Sequence, residues 1–155
     1  MSYLAIRDDV QSKLQTIPDV GIVNGRSRFT AEWSRYIQFF KDASGRIKGW
    51  EITRKAVPEH LRGAFFAHHQ LVLRGFLGFQ DQAATDDQFQ DLIDTVREVF
   101  RQAQPPAGAP WLYQNGDNPE DSCVQVPIID ERMFGSVLCH YCEIHLSVTE
   151  RILPT

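Results

Sequence analysis

The chain has 155 residues, of which 16 are basic and 20 acidic, giving a net charge of −4; 43% are hydrophobic and 23% charged. This composition suits a single folded domain over residues 1–155 and excludes a disordered chain. Its acidic balance argues against binding nucleic acid by phosphate neutralisation, and no apolar run approaches the roughly 20 residues of a membrane span.

Tyr3, Ile6, Val10, Leu14 and Ile17 recur at helical spacing and predict an opening helix that Pro18 stops. Val20–Val23 is a short apolar run before the turn signal Asn24-Gly25. Phe29, Trp33, Ile37 and Phe40 return to helical spacing, with Thr30 as the expected N-cap and Asp42–Gly45 as the closing turn. This aromatic stripe reads as core or interface packing, or as a ligand-stacking surface. From Arg46 to Ala56 the pattern suits a strand around Trp50, and Pro58 and Gly63 bracket a loop. Ala64–Phe79 reads as a second strand, antiparallel to the first. Phe65, Ala67, Leu71, Leu73 and Leu77 would face a core, with His68, Gln70 and Arg74 facing out.

A helix is expected from Asp86 to about Arg101, with Thr85 and Gln88 in a T-x-x-Q capping box. Phe89, Leu92, Ile93, Val96, Val99 and Phe100 fall within a sector of about 120° on it. Asp87, Asp91, Asp94 and Glu98 form a stripe on the opposite side, either an ordinary solvated face or a functional negative surface. Gln104–Pro110 and Asn115–Pro119 read as loops. The long connection from Gln104 to Asp121 carries Trp111 and Tyr113, which makes it a candidate subunit or partner contact unless both rings fold back on their own domain. Two strands finish the chain, one through Val124, Val126 and Ile128 and one from Leu138 to Val148. The fold class is α+β, a mixed or antiparallel sheet of about four strands with about three helices.

Chemistry is sparse. Cys139-His140-Tyr141-Cys142 contains C-x-x-C, but an odd spacing on a strand sends the two thiols to opposite faces, where they cannot share a metal. His68 and His69 also point apart, and a metal or acid/base role would need partners that the sequence does not identify. No G-x-S-x-G, P-loop or G-x-G-x-x-G is present. No catalytic residue, cofactor or metal is therefore expected. The three cysteines read as reduced thiols of a cytoplasmic protein, and the start lacks the basic and apolar regions of a secretory signal.

Several segments together resemble the tail-terminator (tail-completion) proteins of long-tailed bacteriophages. They are the opening helix, Phe40–Arg54, the strand His69–Phe76, the helix segment Phe89–Ile93, and the closing strand Cys139–Glu150 with its H-Y-x-x-I-x-L-x-V pattern. The resemblance implies a non-enzymatic virion protein, assembled in the host cytoplasm and placed at the head-proximal end of the tail. Such proteins form a ring, usually hexameric, that ends tube polymerisation. Their partners are copies of themselves, the tail tube protein and the head–tail connector, while DNA passes without specific binding. The alternatives are another head–tail or minor tail component, a small-molecule-binding module, or a metal-dependent α+β protein.

Overall fold

A computed structural model describes residues 2–154. Two long strands form its spine. They are β4 (Phe65–Gly78) and β7 (Val137–Ile152), antiparallel in unbroken register from Phe65 opposite Ile152 to Gly78 opposite Cys139. On the free side of β4 lie β2 (Lys48–Ala56) and β3 (Glu59–Leu61), and the short β1 (Ile22–Asn24) pairs parallel to β2. On the free side of β7 lie β5 (Trp111–Leu112) and β6 (Val124–Phe134). The sheet therefore has seven strands, more than the four expected. The additional strands are only two or three residues long, too short for an alternation pattern to reveal. One of them, β3, occupies the expected loop between Pro58 and Gly63.

Helices α1 (Ser2–Gln15) and α3 (Thr85–Arg101) pack on one face of this sheet. The buried residues of α1 are Ile6, Val10 and Leu14, at the expected spacing. Those of α3 include Phe89, Leu92, Ile93, Val96 and Phe100. Both meet the alternate side chains Leu71, Leu73 and Leu77 of β4 and Cys142, Ile144, Leu146 and Val148 of β7. At the centre Trp50 lies across Gly75, where a Cβ would sit 2.7 Å from the indole and 2.9 Å from Cys142 Sγ. Close approach, rather than backbone conformation, requires glycine there.

The opposite face is only partly covered. At one end a short helix α2 (Trp33–Tyr36) and the 3₁₀ turn Ile37–Phe40 bury Tyr36, Ile37 and Phe40 against Phe76, Phe134, Cys139 and Tyr141. The longer helix expected from Phe29 does not form. Thr30 is not its N-cap; Glu32 holds that position in an extended conformation, with no side-chain cap. Phe29 is 88% exposed, so burial selects Tyr36 and leaves the first member of the stripe in solvent. At the other end of this face, the loop after β5 folds over His68 and Gln70.

The start of α3 also corrects the expectation. Ala84, in the left-handed region, is the N-cap, and Thr85 is the first helical residue. Thr85 is buried, and its hydroxyl bonds both backbone groups of Gln80 and contacts Nε2 of His140 at 2.9 Å. Gln88 donates to the carbonyl of Ala83. The T-x-x-Q pattern thus ties the helix to the sheet and makes no capping box.

Candidate functional site

The acidic side chains Asp87, Asp91, Asp94 and Glu98 are all exposed, on the side of α3 away from the sheet. Within the stripe Asp94 accepts from Arg97 at 2.9 Å. Solvated carboxylates on one helix face present negative charge without a desolvation cost.

Trp111 and Tyr113 are not displayed for a partner. Strand β5 turns Trp111 into the main core, where it is 7% exposed. Tyr113 packs on Phe100, donates its hydroxyl to Asp9, and lies under Lys13. Burial first, and the bond to Asp9 second, hold its phenol far above the usual range. Both rings fold back on their own domain because pairing of β5 with β7 brings them over α1 and α3. The residue between them, Leu112, points outward and is 54% exposed.

Leu112 is one of several exposed apolar side chains, placed at the two ends of the spine, that sequence reading missed. Leu61 and Phe65 are paired across the β3–β4 hairpin and Phe65 faces Ile152, all on the helix-bearing face of the sheet, whereas Leu112 pairs with Thr149 and stands on the opposite face. Leu61, Phe65, Leu112 and Leu153 are all more than half exposed. Others surround the β6–β7 hairpin at the far end of the spine. There Met133 pairs with Leu138, and Trp33 stacks edge-on against Phe134. Trp33 and Met133 are about 60% exposed. The β4 strand between the two ends spans on the order of 40 Å. Phe65, expected to face the core, continues the core-facing alternation of β4, so periodicity does not mark it as exposed; only the end of the strand reveals it.

A polar cluster lies on the same face as Leu112. His60 on β3, His68 on β4 and Asp117 in the following loop converge, each offering one ligand atom within 4.8 Å of the others. His60 Nε2 is 3.2 Å from Asp117 Oδ1, and the two imidazole rings are 4.9 Å apart. His68 is buried rather than solvent-facing, because the loop covers it. A Cβ on Gly116 would lie 2.0 Å from its ring. That burial lowers the His68 pKa, opposed by the Asp117 carboxylate and reinforced by His60. A cavity of about 500 Å³ adjoins His68, lined also by Arg62, Phe66, Leu112, Thr149 and Arg151.

His69, as expected, faces the other way. It is buried with Glu150 at 3.7 Å and Arg54 at 3.4 Å, and burial lowers its pKa against the pull of Glu150. Cys139 and Cys142 also separate as the odd spacing requires. Cys139 packs with Tyr36 and Phe76, and Cys142 with Trp50 and Ile144 beneath the helices.

A buried polar network joins α2 to the sheet. Arg74 donates to the hydroxyls of Tyr36 and Tyr141 at 3.0 and 2.9 Å, and Tyr36 donates to Glu51 at 3.1 Å. Tyr141 in turn donates to Glu143 at 2.6 Å. These groups satisfy one another within the packing. Comparison with family models and with curated protein sequences yields no match.

Proposed function

We propose that the chain is a ring-forming structural subunit of a phage tail, a tail terminator that caps the head-proximal end of the tube and meets the connector. The observation that carries this reading is that exposed apolar side chains stand at both ends of the β4–β7 spine and differ between the two ends. Contacts between two different patches are head-to-tail, and such contacts build rings when they close. Leu61 and Phe65 of one copy would meet Met133 of the next on one face of the sheet, and Leu112 would meet Trp33 on the other. Exposed apolar side chains of this kind are what a partner or another copy covers in an assembled particle. The pattern resemblance of the helices and long strands adds the biological setting, with the hexamer as the expected closure.

The acidic face of α3 suits passage of DNA, since exposed carboxylates repel phosphates. In this reading the protein has no reaction to catalyse. Its work is to end a helical stack, and the two faces of the ring contact the tube protein and the connector.

Deletion of the gene from the producing phage tests the proposal. Tails of excess and uncontrolled length, unjoined to heads, are expected. Normal tails joined to heads would overturn it.

A further inference from the structure

We propose that His60, His68 and Asp117 form a binding site for a divalent transition-metal ion, with zinc as the best fit. The inference is independent of ring formation. Two imidazoles and one carboxylate are a donor set that zinc accepts, with the fourth tetrahedral position left for water or an incoming oxygen donor. Zinc bonds of about 2.0–2.2 Å place tetrahedral donors roughly 3.3–3.5 Å apart. His60 Nε2 and Asp117 Oδ1 already stand at 3.2 Å, and no pair of the three donors exceeds 4.8 Å.

The surroundings orient these donors as metal ligands are usually oriented. The Thr149 hydroxyl donates to the carbonyl of Gln114 at 3.0 Å, so it offers His68 Nδ1 a lone pair at 3.2 Å. The imidazole then carries its proton on Nδ1, and its free lone pair is on Nε2, the form a metal requires. Gln70 donates to Asp117 Oδ2 at 3.3 Å, on the carboxylate oxygen that does not face His60. Gly116 completes the support, because only a residue without a Cβ lets the loop close against His68 and bring Asp117 to the histidines.

The three ligands come from β3, β4 and the loop after β5, so the ion would tie a short edge hairpin to a long loop. His68 also borders the cavity that Arg62 and Arg151 line. Two guanidiniums lining a cavity that His68 borders favour an anionic group in it, a carboxylate or phosphate. The site accounts for a buried histidine next to a half-exposed one and an aspartate, a grouping that the main core does not need.

The test is titration of chelator-treated protein with zinc chloride, read by calorimetry and by thermal melting. One zinc per chain and a rise in melting temperature are expected. His60→Ala, at a half-exposed position, and the isosteric Asp117→Asn should each abolish the rise and weaken zinc binding more than tenfold. Thr149→Val and Gln70→Ala should weaken it by about 10–100-fold. The exposed His145→Ala should leave it unchanged. Metal-free circular dichroism and melting of each variant separate loss of ligation from loss of folding. Cobalt as a replacement ion should show no sulfur charge-transfer absorption. Absence of zinc uptake, uptake unaltered by both His60→Ala and Asp117→Asn, or a thiolate signal would each overturn the proposal.

Discussion

At the scale of single residues, burial decides which chemically active groups are inert. Cys142 is wholly enclosed, and burial pushes its thiol up from 9.0 to about 12; the same cause takes Cys139 to about 11. Neither thiol forms the thiolate that reacts. Modification with Ellman's reagent at pH 8 should therefore be slow in native protein and rapid for all three cysteines in denaturant. The sign of the linked stability follows. A group whose pKa is raised on folding stabilises fully below its unfolded value and progressively less above it. Stability should hold to about pH 9 and fall as pH rises towards 12, with Tyr141, pushed to about 12 mainly by burial, adding to the loss. Urea midpoints measured across that range check this. A flat profile would mean that the thiols are not buried as described.

At the scale of elements, α3 shows two faces with opposite tolerance. Phe89 is buried between the helix and His140 on β7, with ring centres 5.7 Å apart. Phe89→Ala removes a core aromatic and should cost about 3–5 kcal/mol. Asp91, two residues on and so on the opposite, exposed side of the helix, should change stability by no more than about 0.5 kcal/mol when replaced by asparagine. Chemical denaturation of both variants distinguishes a helix held by one face from one supported on both sides. The acidic stripe is then free to serve charge, since stability does not depend on it.

At the scale of the whole molecule, the proposed ring predicts a particular response to damage at its ends. Leu112→Glu at one end and Trp33→Glu at the other should each prevent ring closure, seen by light scattering or native mass spectrometry. A mixture of the two variants should stop at a dimer. Each variant keeps one intact end, and the intact ends are complementary. If the contact were instead symmetric, a variant damaged at the unused end would still dimerise by itself. The proteins should remain folded, because both substituted side chains are already solvent-exposed.

The sequence by itself determined the elements whose pattern is long. The spacing of Ile6, Val10 and Leu14 set α1, that of Phe89 to Phe100 set α3 and its exposed acidic stripe, and strand alternation separated Cys139 from Cys142. These follow from local periodicity, which is the same whatever the neighbours are. Tertiary structure decided the rest. The strands β1, β3 and β5 exist because longer partners supply their hydrogen bonds. Thr85 became a link to His140 instead of a cap because packing brought that histidine within 2.9 Å. Trp111 and Tyr113 turned inward because β5 pairs with β7 above the helices. His60, His68 and Asp117 are far apart along the chain, and each alone is an ordinary polar residue. They meet because a hairpin edge and a glycine-bearing loop close over the same end of β4, a placement set by long-range contacts that no window of sequence contains.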